Sequence, residues 1–402
     1  VLPLATWPGL ATPFSTPKLW LLAGAVTVLL PLAAWHVWRG RDGGGAPVPP
    51  VLQCVLVAWL GSHGWSALAA PAVLPEALLL GVAGPLWCLV IVLAPAGQHR
   101  IVAAHVAGAT LVAVIAIAQA AGVDPFVWLG WVPSMDGASP RMRVYATLGN
   151  PNFVAACMAM TLPLAGAVAV QQAGWNVARA AAVCACALVV AALAVTGSRA
   201  GAIGLACGAT VCAGCLGGRA ARWMMAAALV VAALAIGLSG GRSLDETVRG
   251  RAYVWRTAWS HMWDHPMTGV GPGAFELYYP GWERAARAAG RGDPRFRGPQ
   301  QFAHNDYLQA LAERGVPGLA VTALLLGMPV AWCRQVRQRL PAQRAMLAGG
   351  AGAVAACAAI ACFDFPLQRP AEAATLWMAV ALGWQSARST SPPTSQPGDI
   401  TP

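Results

Sequence analysis

The chain has very little charge and almost no lysine. Asp, Glu, Lys and Arg make up 10% of its 402 residues, against roughly 25% in soluble domains. So few charges cannot coat a water-exposed surface, which excludes an ordinary soluble globular protein. Strict polar–apolar alternation is also missing, and that excludes an outer-membrane barrel. Of 26 basic residues only Lys18 is lysine. No cysteine lies in the one long polar loop, because all eleven fall in or beside apolar runs. They read as small buried residues rather than a disulfide framework. Cys184-Ala-Cys186 and the set Cys207, Cys212 and Cys215 lack zinc-ligand spacing and have no histidine nearby. The first stretch is Pro-rich without a charged leader, so no cleavable signal peptide is evident.

What is present is apolar sequence in long continuous runs. The chain is 57% hydrophobic, with a mean hydropathy of +0.58. Runs near 19–38, 51–69, 77–95, 101–121, 152–170, 179–196, 201–217, 223–239, 318–333, 346–363 and 371–387 have the length of membrane-spanning helices. The expected fold class is therefore an all-α polytopic membrane protein. Eleven spans are read directly, and Val1 leaves room for a twelfth upstream. The run at 51–69 is the weakest because it contains Gly61-Ser62-His63-Gly64.

Arginine counts in alternate short loops set the expected orientation. Arg39, Arg41, Arg100, Arg179, Arg219, Arg222, the run Arg334 to Arg344, and Arg388 form the basic, cytoplasmic set. The loops 70–76, 122–151, 197–200, 240–317 and 364–370 then face outward. Four regions follow: helices over 1–239, an outward loop domain over 240–317, C-terminal helices over 318–387, and a disordered cytoplasmic tail over 388–402, rich in Ser, Thr and Pro. Most arginines border the bilayer, so nucleic acid is not an expected partner.

The outward loop is the one sizeable hydrophilic region, with ten arginines and eight acids. Apolar residues at 254, 255, 258, 259 and 262 predict a helix over 244–264, ended by His265-Pro266. Gly269-Val270-Gly271-Pro272-Gly273 reads as a tight turn, since it lacks the context and the lysine of a phosphate loop. A short polar helix follows over Asn305 to Arg314, stopped by Gly315 and Pro317. His304 sits at its start, where a helix N-terminus favours the neutral ring that a general base needs. Its other reading is a capping or surface histidine. On a helix it would share a face with Tyr307 and Leu308, while Asp306, Gln309 and Glu313 form another.

Several further residues are candidates for holding an anionic ligand, since arginine forks bind phosphate bidentately. Arg199 lies in Thr196-Gly197-Ser198-Arg199-Ala200-Gly201 at a membrane boundary, either as a ligand-binding group or as a snorkelling anchor. Arg251 and Arg256 are five residues apart on the loop helix and so about 140° around it. Arg143 lies near Gly149-Asn150-Pro151-Asn152, whose asparagines suit sugar hydroxyls, although Asn-Pro-Asn is more often a turn and helix cap. Asp364, in Phe363-Asp364-Phe365-Pro366, is an acid available to pair with an arginine. His261, Asp264 and His265 have the spacing of two ligands but no third partner, and no metal site is expected.

Together these stretches resemble the O-antigen ligase and polymerase superfamily. The resemblance rests on Gly269 to Phe275, on Ala303-His304-Asn305-Asp306-Tyr307-Leu308-Gln309 with Glu313 and Gly315, and on the stretches 147–152, 196–201 and 363–367. It covers about 140–385. It implies a metal-independent glycosyltransferase of C-type membrane architecture without a cofactor. The implied donor is a glycan on undecaprenyl diphosphate, used at the periplasmic face of a Gram-negative inner membrane among its lipids. In the ligase branch the acceptor is a sugar hydroxyl of lipid A-core. The catalytic histidine of the family matches His304, and its essential arginines match Arg199 and either Arg251 or Arg256. Asn305, Asp306, Tyr307, Gln309, Asn150, Asn152, Arg143 and Asp364 are the further substrate-binding candidates. A single dominant outward loop favours a ligase over a polymerase, while transfer to protein stays open. A transporter of polyprenyl-linked glycans is the alternative from another class. It fits less well because the charges cluster at a boundary rather than at mid-membrane.

Overall fold

The computed structural model describes residues 2–7, 10, 12–39, 48–94, 97–128, 144–172, 174–238, 244–336 and 341–385. These residues form fourteen α-helices in chain order: α1 (Thr16–Arg39), α2 (Pro50–Ala69), α3 (Pro75–Leu93), α4 (Gln98–Ala120), α5 (Pro125–Trp128), α6 (Pro151–Gln171), α7 (Val177–Thr196), α8 (Arg199–Leu216), α9 (Gly218–Leu238), α10 (Leu244–Trp259), α11 (Phe275–Ala288), α12 (Asp306–Val336), α13 (Pro341–Ala361) and α14 (Pro370–Gln385). No strand occurs among the described residues. The all-helical polytopic fold is as the apolar runs predict.

Nine of these helices are long and apolar enough to cross a membrane: α1 to α4, α6 to α8, α12 and α13. The two other predicted spans coincide with α9 and α14. α14 has 16 residues, about 24 Å at 1.5 Å per residue, which is short of a ~30 Å hydrocarbon core. It is buried along nearly its whole length, so its ends are met by protein rather than lipid. By contrast α1 exposes Trp20, Leu21, Val28, Leu32, Trp35 and Trp38, a surface that suits acyl chains and the interface. α2 is one continuous helix through Gly61 to Gly64. Ser62 and His63 turn inward there and meet the buried Arg314 of α12 at 3.3 Å each.

The centre of the bundle is α13, packed against α6, α8, α12 and α14. Its Ala/Gly-rich sequence permits this. A Cβ on Gly208 of α8 would fall 2.7 Å from the Gly352 carbonyl oxygen of α13, so the two backbones nearly touch. Close backbone approach through small residues is how helices associate where lipid removes the hydrophobic drive.

The segment between α9 and α12 packs on one end of the bundle. It has its own core, built from Val254, Ala258, Met262, Phe275, Tyr279, Trp282, Ala303 and Leu311. α10 ends at Trp259, five residues before the predicted stop, and turns continue to Thr268. α11 has no counterpart in the sequence reading. The spacing of Phe275, Tyr279, Trp282 and Ala286 makes an apolar helical face, and Pro280 within that run masks it. The glycine turn after Thr268 straps this segment down. The Val270 and Gly271 N–H groups donate to the Ala312 and Glu313 carbonyls at 2.9 Å each, and Leu74 N–H donates to Pro272 O at 2.8 Å. Gly271 has φ of +112°, and a Cβ there would overlap the Ala72 carbonyl oxygen. The helix run breaks at Gly315, whose φ and ψ are 66° and −165°, as expected for its stop signal.

Candidate active site

The His304 segment is fixed by its neighbours. Ala303 N–H donates to Gln309 Oε1 at 2.7 Å, and Trp255 Nε1 of α10 donates to Ala303 O at 2.8 Å. Gln309 Nε2 in turn donates to Glu313 Oε1 at 2.7 Å. Asn305 Oδ1 accepts from Leu308 N–H at 2.9 Å, the N-cap contact that starts α12, and Asn305 Nδ2 donates to Cys362 O at 3.1 Å. Between these anchors His304 adopts φ of +53°. A non-glycine residue held there costs about 1–3 kcal/mol and persists only where its surroundings over-determine it. His304 thus stands just before the helix rather than on it. It shares no helical face with Tyr307 and Leu308, because the left-handed backbone turns its ring away from that register.

That turn brings His304 Nδ1 to 4.0 Å from Asp364 Oδ1. Asp364 is 2% exposed and the His304 side chain 37%. The separation is too long for a hydrogen bond but short for a Coulombic pair. Nδ1 is buried and has no hydrogen-bond partner among the described residues. The rest of the ring therefore carries the exposure. Burial holds the His304 pKa below the ordinary 6.5, with Asp364 opposing and Arg251 and Arg369 reinforcing the shift. The ring is neutral at neutral pH and able to take a proton.

Asp364 is itself held in place. Its Oδ1 accepts from Phe365 N–H at 3.0 Å and its Oδ2 from Arg369 Nη1 at 3.3 Å. Arg369 also pairs through Nε with Glu372 at 3.1 Å. Its guanidinium lies 4.0 Å from the Phe153 ring centroid, a cation–π contact. Phe365 meets the His304 ring edge-on at 5.1 Å and stacks on Phe302 at 4.2 Å. Trp255, Arg369 and Glu372 are the site residues that sequence reasoning missed. Trp255 appeared there only as one of several apolar residues on a helix face. Arg369 carried a signal, since an arginine three residues after the Asp364-Phe365-Pro366 turn stands at a membrane boundary.

The other candidates divide. Arg251 is half-buried and within electrostatic reach of both Asp364 and His304. Arg256 is exposed, with its Nε donating to Ala252 O at 3.2 Å. Of the two, Arg251 is the arginine on the His304 side of α10. Arg199 opens α8, capped by Ser198, and Gly201 two residues on rests against Ala155 of α6. Asn150 caps α6 by accepting from Asn152 N–H at 2.9 Å. Phe153, one residue after Asn152, meets Phe365 at 5.6 Å. The starts of α6 and α8 thus lie at the same end of the bundle as His304. Asp306 accepts from Leu367 N–H at 2.9 Å and Gln368 Nε2 at 3.2 Å, and Tyr307 donates to Ala358 O at 3.2 Å. Asp306, Tyr307, Gln309 and the Asn305 amide thus hold the loop in this structure. Arg143 lies outside the described residues.

Among the described residues no three His, Cys, Asp or Glu side chains converge in the manner of a metal site. His261 and Asp264 form a pair at 3.1 Å.

The family model described as O-antigen ligase matches residues 184–323. That stretch runs from α7 through Arg199, Arg251 and His304 to the helix beyond Gly315. This match supports membership of the O-antigen ligase/polymerase superfamily. The match is narrower than the resemblance read over 140–385, and the Asn150 and Asp364 stretches lie outside it. No curated protein matches the chain. The superfamily consists of glycosyltransferase-like ligases and polymerases that use lipid-linked glycans in a membrane. The apolar helices are those of an integral membrane protein, and the match supports an enzymatic role.

Proposed function

We propose that the protein is an O-antigen ligase, moving a polysaccharide from undecaprenyl diphosphate to a sugar hydroxyl of lipid A-core at the periplasmic face of the inner membrane. The observation that carries this reading is the His304–Asp364 pair with Arg251 beside it, at the end of a bundle whose outer helices suit lipid. His304 takes the proton of the acceptor hydroxyl. The freed oxygen attacks the anomeric carbon as the bond from that carbon to the diphosphate oxygen breaks. Undecaprenyl diphosphate leaves with the bonding electrons, and the anomeric centre inverts. Asp364 steadies the imidazolium that forms, as an acid behind a general base does. Arg251 and Arg199 take the negative charge that develops on the leaving diphosphate, a role that guanidinium groups fill without a metal.

The acceptor class and the metal requirement are tested together. Purified protein in liposomes is given undecaprenyl-diphosphate glycan with lipid A-core, with a pilin-like protein, or with free donor alone, each with EDTA. Transfer to lipid A-core is the expected result. Chain growth on the donor alone would make the protein a polymerase, and transfer to the protein would make it a protein glycosyltransferase of the same superfamily. Loss of all transfer with EDTA would overturn the metal-independent mechanism.

A further inference from the structure

A cleft of about 640 Å³ opens between α10, α11 and the start of α12. Its α10 wall presents Trp255, Arg256 and Trp259, and the hydroxyl-bearing Thr257 and Ser260 lie with them. Arg291 faces it from the segment after α11, and Asn305, the residue after His304, lines it as well. Among the described residues that line it, none is acidic. Glu283 of α11, which accepts from the hydroxyl of the lining Tyr253 at 3.3 Å, is engaged by Arg287 at 3.0 Å. Two arginines with no carboxylate among them favour an anion. Flat aromatic side chains beside hydroxyls suit the alternating apolar and polar faces of a sugar ring. The two arginines of α10 thus serve different sides of the helix: Arg251 the His304–Asp364 pair, Arg256 this cleft.

We infer that the cleft seats an anionic sugar segment of the acceptor, with Arg256 and Arg291 on its phosphate or carboxylate and Trp259 against a sugar ring. The inference rests on the reading that the acceptor is a glycan. It assigns a binding site to the acceptor, separate from the arginines assigned to the donor. A sugar chain lying in the cleft ends at Asn305 and so delivers its terminal hydroxyl beside His304.

The test uses the full chain in detergent and the delipidated core oligosaccharide as probe, in its phosphorylated form and after dephosphorylation. Isothermal titration measures binding without chemistry. Wild type should bind the phosphorylated probe about tenfold or more tighter than the dephosphorylated one, the range of a charge-assisted hydrogen bond. Arg256→Ala with Arg291→Ala should abolish that preference, and Trp259→Ala should weaken both probes alike. All three side chains are exposed or line open space, so their loss spares the fold. In the transfer assay the double arginine variant should raise the acceptor KM about tenfold while moving the donor KM less than about twofold. Equal binding of the two probes by wild type, or a shift in donor KM in place of acceptor KM, would overturn the assignment. Binding that follows the predicted pattern in a protein that transfers no glycan would instead overturn the ligase reading and leave the cleft standing.

Discussion

At the scale of single residues, the proposed base is an imidazole under opposed charges. Asp364 raises the His304 pKa, while burial, Arg251 and Arg369 lower it, and the balance falls below 6.5. With His304 as the proposed base, which acts when deprotonated, the rate of transfer should be full above that pKa and fall as pH drops through it. The acid limb of kcat/KM therefore lies below pH 6.5 in the wild-type protein. Asp364→Asn removes the raising charge and should move the limb to lower pH. Arg251→Ala removes a lowering charge and should move it to higher pH, in addition to its loss in rate. Profiles recorded from pH 4.5 to 8 check both signs, and two shifts in the same direction would contradict the assignment. In the sequence His304 stood between a base and a capping or surface histidine, and the resemblance singled it out as the base; the structure sets it 4.0 Å from Asp364. Its partner was only half legible. Asp364 was visible as an acid at a span end, but its 60-residue separation from His304 hid the contact. Arg251 and Arg256 could not be separated by periodicity alone. The packing of α10 through Trp255 on Ala303 decides which one faces His304.

At the scale of elements, the glycine turn 269–273 shows how local rules were readable while their purpose was not. Its composition announced a turn. What the turn does depends on residues 200 positions away, since it is threaded between the α2–α3 connection and the Glu313 turn of α12. Gly271→Ala meets both a positive φ and the Ala72 carbonyl. The backbone strain alone costs about 1–3 kcal/mol, and the overlap adds to it. The variant should melt at a clearly lower temperature in detergent and be cut faster by protease within 244–305. Gly214→Ala, which meets nothing within 4 Å in α8, should be neutral or slightly stabilising by about 0.5–1 kcal/mol. Equal melting temperatures for the two variants would rule out the strap. α11 shows the opposite lesson. Its apolar face was readable at helical spacing, and the internal Pro280 together with the arginines around it drew attention away.

At the scale of the whole molecule, apolar run length carried nearly all of the fold, because a bilayer leaves helices no other way to satisfy their backbones. Run length does not separate a span facing lipid from one enclosed by neighbours, which is why the 16-residue α14 reads like the others in sequence. The proposed orientation rests on arginine counts and is open to chemistry. In a background without exposed cysteine, Arg297→Cys should react with a membrane-impermeant maleimide from the periplasmic side, and Arg334→Cys only after the membrane is opened. The reverse pattern would put the site on the wrong face for a periplasmic ligase. The central claim is that His304 is the base for glycosyl transfer and not a structural cap. It is tested most directly by single-turnover transfer with His304→Ala under saturating donor and acceptor, alongside donor binding by the same protein. The chemical step should slow by about 10²–10⁴-fold with donor affinity kept within about threefold. A variant that transfers glycan at the wild-type rate would contradict it.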